Sequence, residues 1–235
     1  MLKVNLMNEP VNMIKTIENC PDGNFVVNAF LSPGYFLGKL DKQILNIIKQ
    51  EINEIQADFS KGVPWNHQLA GQIKNEYLLT KSFQKVQDYF VAIAADYHHH
   101  YHRGREGHPM VLLDLWVNFQ KKDEYNPPHT HQGAVSFVIW VKAPFDIEDE
   151  MEATKSKQTT SPCAAHFCFV YSTADGTIAT ENIPVDRKYE GVICIFPSTV
   201  NHMVYPFKTS DDFRISVSGN IGLSLIHISE PTRPY

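Results

Sequence analysis

At Met110 the spacing of apolar residues changes from three-and-four to two, and this change most limits what the chain can fold into. Before it, Leu40, Ile44, Ile47, Ile48, Ile52 and Ile55 form one apolar stripe, with Asp41 placed to cap its start. That pattern predicts an amphipathic helix over 40–59. A second helix is predicted over 82–102, burying Phe83, Val86, Tyr89, Phe90, Ile93 and Ala94. The stretch between them, KGVPWNHQLAGQIKNEYLL, is punctuated by Pro and Gly and reads as a connector. Residues 24–30 alternate weakly, as a strand pairing with the core would.

After Met110 come VLLDLWVNF, AVSFVIWVK, AHFCFVYS, GVICIFP and FRISVSGN, short runs rich in β-branched and aromatic residues. Helices first and strands afterwards imply an α+β fold, with helices buttressing a β-sandwich or jelly roll. The polar, acidic stretch 146–160 is expected to be a mobile loop. Three parts follow: a mainly helical buttress over 1–108 that is integral to the domain, a β core over 109–221, and a tail over 222–235. The tail is set aside because LSLIHISEPTR reads as a translated sequencing-library adapter in a metagenomic gene fragment, so His227 receives no functional weight.

A formal net charge of -5 argues against bulk attraction to nucleic acid or an anionic membrane. No apolar run is long enough to span a bilayer. Cys20, Cys163, Cys168 and Cys194 form no CxxC pair and read as reduced thiols of a cytoplasmic protein.

Three histidines can carry chemistry: His129 and His131 in NPPHTHQG, and His202 in FPSTVNHMVYP. Residues two apart on an extended segment face the same side, so His129 and His131 can converge on one ion that His202 closes from a neighbouring strand. Alone, an HxH after a Pro-Pro turn is more often a pair of polar loop residues. Further on, Arg214, Ser216 and Ser218 share one strand face, opposite Phe213, Ile215 and Val217. An inward Arg with a hydroxyl two residues on suits a carboxylate, because guanidinium donates two parallel hydrogen bonds. On the preceding strands Asp114, Trp116 and Asn118 share one face, and Ser136 and Trp140 form the matching one. YHHHYH, at 97–102, reads as a helix end whose negative dipole favours histidine rather than as a metal tract.

WVNFQKKDEYNPPHTHQGAVSFVIWV, VICIFPSTVNHMVYPF and RISVSGN resemble the 2-oxoglutarate–Fe(II) oxygenase family found in phages and marine bacteria, as does the connector HQLAGQIKNEYLL. The resemblance covers roughly 64–221 in patches. It implies a double-stranded β-helix (a jelly-roll, cupin-like core), iron(II), and 2-oxoglutarate decarboxylated to succinate while an unidentified small molecule or protein side chain is hydroxylated. By position, His129 and His202 match the first and last iron ligands. Arg214, helped by Ser216, matches the clamp for the distal carboxylate. Strand parity points Asn118 toward the barrel mouth, where it could hold the co-substrate or orient a ligand histidine, with Ser136, Trp140 and Asp114 as further pocket candidates. The wider superfamily has a carboxylate two residues after the first histidine, and this chain has His131. A shifted register would make His131 the first ligand and leave Gly133 at a vacant, halide-filled position. Two other readings stay open: a three-histidine cupin-like enzyme that needs no 2-oxoglutarate, and a jelly-roll protein that is not an enzyme.

Overall fold

The computed structural model describes residues 26–28, 34–101, 109–173 and 175–224. Twelve strands form two antiparallel sheets among the described residues. The large sheet contains β1 (Val26–Asn28), β2 (Tyr35–Lys39), β3 (Val63–Pro64), β4 (Asn75–Leu78), β5 (Met110–Gln120), β7 (Val135–Lys142), β10 (Val192–Pro197) and β12 (Arg214–Leu223). Its spatial order is β1-β2-β10-β7-β12-β5-β4-β3. The small sheet contains β6 (Asn126–His129), β8 (Phe167–Ser172), β9 (Ile178–Ile183) and β11 (Asn201–Val204), in the order β6-β11-β8-β9. Helix α1 (Lys42–Ala57) and helix α2 (Thr80–Tyr101) precede the core, and the short α3 (Ile147–Ala153) follows β7.

The layering follows from side-chain parity. Leu115, Val117 and Phe119 of β5, with Ile215 and Val217 of β12, face Ile48 and Ile52 of α1 and Val86 and Phe90 of α2 in one core. The Phe90 ring stacks on Phe137 of β7 at 4.3 Å. The opposite face of the large sheet meets the small one through Leu37, Val138, Trp140, Cys194 and Phe196 against Phe167, Phe169 and Ile183. Strands β7 and β10 therefore lie between two apolar layers, which is why their sequences are nearly continuous hydrophobic runs. The α+β fold with a double-stranded β-helix core is the expected one. Gly219 permits the tight β12–β7 approach, since a Cβ there would lie 2.6 Å from the Phe137 ring and 2.8 Å from the Asp114 carbonyl.

Both predicted helices form within two residues of their expected starts. Asp41 caps α1 as expected, its Oδ1 accepting from the amides of Gln43 at 2.7 Å and Ile44 at 3.2 Å. The weakly alternating segment forms β1 over its middle; its flanks at 24–25 and 29–30, like Cys20, His102 and His227, lie outside the described residues. Strand β12 runs two residues past the boundary drawn at 221, pairing Gly222 with Val111 and Leu223 with Met110.

The acidic stretch corrects an expectation: it is α3 and a 3-10 turn (Ser156–Gln158), not a loop. Ile147 joins Phe145, Ala165 and Phe207 in an apolar cluster. The fully buried Glu150 accepts from the amides of Lys208 at 2.8 Å and Thr209 at 2.7 Å, and from the Thr209 hydroxyl.

A second buried carboxylate joins the helices. Glu51 of α1 accepts from the first-turn amides of α2, Lys81 N at 2.9 Å and Ser82 N at 2.7 Å, which have no partner within their own helix. Replacing Glu51 by Ala strands both amides in a low-dielectric layer, so it should cost about 1–3 kcal/mol. Urea denaturation of Glu51→Ala checks this; an unchanged midpoint would show that the cap contributes nothing.

Candidate metal centre

The three histidines are brought together by the edge of the small sheet. Strand β6 is that edge, where Pro127 and Pro128 are tolerated because edge positions can lack a ladder donor. His129 is the direct cross-strand partner of His202. His131 lies just past β6, and its backbone N–H donates to the Ser198 carbonyl at 2.9 Å, pinning the chain to the β10–β11 turn. Ring centroids are 4.3 Å apart for His129–His202, 4.9 Å for His129–His131 and 5.0 Å for His131–His202. One nitrogen from each ring lies within 4.8 Å of the others.

The ring tautomers follow from backbone partners. His129 Nδ1 donates to the Pro127 carbonyl at 2.7 Å, and His202 Nδ1 to the Val200 carbonyl at 3.1 Å. A carbonyl only accepts, so both Nε2 atoms keep their lone pairs for a ligand role. His131 Nε2 and His202 Nε2 are 3.2 Å apart. Two nitrogens each about 2.1 Å from a shared ion, at roughly a right angle, would sit about 3.0 Å apart, so this spacing fits a bound divalent metal. Burial, then the neighbouring His129, lowers the His131 pKa to about 4. Burial and both neighbours hold His202 well below its ordinary value, and burial lowers His129. All three are neutral at pH 7, the form that binds metal.

The histidines open onto a narrow cavity between the two sheets. Phe167 and Phe196 flank the His202 ring at 5.5 and 4.8 Å, and Trp116 lies 5.5 Å from His131. The large-sheet wall is laid out in rows set by strand register. Trp116 pairs with Ser218 nearest the histidines; Asn118 pairs with Ser216 in the next row, and Gln120 with Arg214 beyond it. Successive rows are about 6.7 Å apart, two residues of strand rise. Asn118 Nδ2 donates to Ser216 Oγ at 3.3 Å, while its Oδ1 has no partner.

Arg214 is buried beyond the cavity lining. Gln120 Oε1 accepts from both its Nε and Nη2, at 3.0 and 2.8 Å, and the carbonyls of Ala165 and Tyr205 accept at 2.7 Å each. Every one of these acceptors is neutral. Burial lowers the guanidinium pKa to about 9, against the opposing pull of the nearby Glu150 carboxylate.

The remaining sequence candidates lie elsewhere. Asp114 accepts from the Asn220 amide at 2.9 Å and from its Nδ2 at 3.1 Å, and Ser136 donates to Asn220 Oδ1 at 2.7 Å. Asp114 and Ser136 thus form a tie across β5, β12 and β7, away from the cavity lining. Trp140 packs edge-on to Tyr189 at 5.5 Å and to Phe167 at 5.9 Å, in the intersheet core. Gly133, at φ +98°, faces the Ile221 carbonyl, so a side chain there would not reach the histidines. The 98–100 histidines end α2, as read from sequence. Sequence reasoning missed Glu76 and Asn126, which line the cavity with unpartnered buried oxygens. No local sequence signal marked Glu76, whose place beside Asn118 is set by the β4–β5 register.

Residues 114–220 match the family model described as "Putative 2OG-Fe(II) oxygenase". No curated protein matches the chain. Among solved structures it is similar to a Pseudomonas putida prolyl-4-hydroxylase, with 12% identity, TM-score 0.48, and 90% of this chain and 99% of that one covered. A Trichoplax adhaerens prolyl hydroxylase, solved with a hypoxia inducible factor peptide, gives 12% identity and TM-score 0.47 over 81% and 83%. AviO1 from Streptomyces viridochromogenes Tue57 gives 10% identity and TM-score 0.49 over 86% and 93%.

The depressed His131 pKa has a consequence for stability. Its unfolded value is near 6.5 and its folded value about 4, so between these the unfolded chain takes up a proton that the folded one refuses. This contribution is present above pH 6.5 and is lost as pH falls toward 4. In metal-free protein, His131→Asn should therefore gain melting temperature relative to wild type as pH drops from 6.5 to about 4. A difference that stays constant with pH would contradict it.

Proposed function

Because the core of this chain belongs to the 2OG-Fe(II) oxygenase family, we propose that His129, His131 and His202 hold its iron(II) and that Arg214, Ser216 and Asn118 receive its 2-oxoglutarate. The observation that carries this reading is the convergence of three neutral imidazoles on one point at the head of a polar row that ends in a buried guanidinium. When bound, iron supplies dioxygen activation coupled to oxidative decarboxylation of 2-oxoglutarate, giving succinate and CO2, with hydroxylation of a substrate as the default outcome.

The protein's own part is positioning and exclusion. The Pro127 and Val200 carbonyls orient two of the imidazoles through their Nδ1–H groups. Phe167, Phe196 and Trp116 keep the histidine end apolar. Ser216 and Asn118 lie one row beyond, and Arg214 a further row of about 6.7 Å, a spacing suited to a five-carbon diacid. Gln120 Oε1 now occupies the Nε/Nη2 fork that a carboxylate oxygen would take, and a carboxylate there would give Arg214 a direct ion pair. With His131 in place of a carboxylate, the ligand set adds no negative charge and leaves the ion more electrophilic. That set also favours, as a second reading, a cupin-like metalloenzyme that needs no co-substrate.

The substrate class in this reading is a small molecule or a protein side chain. Cys163, Cys168 and Cys194 are unpaired thiols, which supports a reducing, cytoplasmic setting. No helix among the described residues is long and apolar enough to cross a membrane.

Iron-loaded protein under air should convert 2-oxoglutarate to succinate, and His202→Ala should abolish the conversion. Removing one partner of a buried charge pair costs about 2–5 kcal/mol, so Arg214→Ala should raise KM for 2-oxoglutarate by about 30-fold or more. Arg214→Lys, which keeps the charge but loses the fork, should fall between Ala and wild type. Metal-dependent chemistry that proceeds without succinate would overturn this assignment in favour of the second reading.

A further inference from the structure

The cavity wall opposite the small sheet carries a charge that iron and 2-oxoglutarate do not use. Glu76, on β4, is 1% exposed and lines the same cavity as the three histidines. Its Oε2 accepts from Asn66 Nδ2 at 3.1 Å, a group that also donates to the Ile73 carbonyl at 2.7 Å and the Lys74 carbonyl at 3.3 Å. Its Oε1 has no partner, and neither does Asn126 Oδ1 across the same corner. Gly71 closes the corner from behind: a Cβ there would lie 2.4 Å from Asn126 Oδ1 and 3.0 Å from Glu76 Oε1. Glycine is the residue that leaves both oxygens open.

The corner also lacks a counter-ion. Among the described residues no Lys or Arg pairs with Glu76, and the charge it feels most is that of Glu124. Glu124 is itself held by the backbone amides of Lys74 and Lys121. Burial, with Glu124 second, raises the Glu76 pKa to about 7. Leaving a buried carboxylate oxygen without a donor is costly, and natural structures retain such groups where a ligand supplies the donor. Glu76 is not part of the metal cluster, which comprises only histidines among the described residues.

We infer that Glu76 and Asn126 form the substrate subsite of this cavity, and that the group they take is a cationic nitrogen donor, the ammonium or guanidinium of an amine-bearing substrate. Two inward acceptor oxygens, one of them anionic, match N–H donors that also bring positive charge. A carboxylate or phosphate substrate would meet repulsion at the same corner. The inference rests on the proposed iron and 2-oxoglutarate site for the reaction, but its binding chemistry stands on Glu76 alone.

Binding of butylamine, agmatine and Nα-acetyl-lysinamide, with butanol and butyrate as controls, can be measured by ligand-observed NMR at pH 8. The full chain is examined metal-free and again under anaerobic iron(II) with 2-oxoglutarate. The cationic probes should bind at least tenfold more tightly than butanol, and Glu76→Gln should remove that preference. Glu76→Asp should keep part of it, which separates a lost charge from a damaged fold. A lysine-containing peptide compared with the free amines distinguishes a protein side chain from a small metabolite as the source of the cation. Equal binding of amines and butanol to wild type, or an amine preference that survives in Glu76→Gln, would overturn the subsite. Equal binding is what a purely structural Glu76, bonded to a turned Asn126 amide, would give. If the iron–2-oxoglutarate complex fails to form while the metal-free preference persists, the oxygenase site fails and the subsite stands.

Discussion

The structure depends on the two-sided burial of its large sheet. One face must cover α1 and α2, and the other must cover the small sheet, so β5, β7, β10 and β12 have no solvent face along their centres. Every polar residue placed at an inward position of β5 or β12 then either finds a partner inside or serves a ligand. Asp114, Ser136 and Asn220 found one another. Asn118, Ser216 and Arg214 lie instead along a row that leads away from the histidines. The candidate catalytic face is thus what remains of the strand alternation after the apolar parity has been used for packing.

Two buried charges make no direct ion pair among the described residues, Arg214 beyond the end of the cavity away from the histidines and Glu76 on its wall. Arg214 donates only to neutral oxygens, and burial lowers its pKa against the opposing pull of the Glu150 carboxylate. Glu76 keeps an unpartnered oxygen, and burial raises its pKa. Each shift has the sign of burial, the largest cause in both cases. One calls for an anion and the other for a cation, so charges of opposite sign stand on the cavity wall and one row beyond it. That polarity suits a site receiving a dicarboxylate co-substrate from one side and a cationic substrate from the other.

Much of this was legible in the sequence because it depends on local periodicity. The stripe of α1, its Asp41 cap, the alternation of β5 and β12 and the HxH spacing each lie within a few residues of one another. What escaped depends on long-range register. Asp114 and Ser136 looked like pocket residues until β12 placed Asn220 between them, next to a register shift between Asn220 and Ile221. The acidic segment read as a loop because the amides that satisfy Glu150 lie 58 and 59 residues further along the chain. Glu76 was invisible because a single glutamate in a four-residue strand looks like a surface residue unless its pairing with Asn118 is known.

The central claim is that three histidines and a distant arginine form one chelate site, and it can be tested without knowing the substrate. Wild-type protein titrated anaerobically with iron(II) and then with 2-oxoglutarate should develop a weak visible charge-transfer band that requires both additions. Tight iron binding with no band after 2-oxoglutarate would contradict it, leaving the histidines as a metal site to which Arg214 contributes no co-substrate.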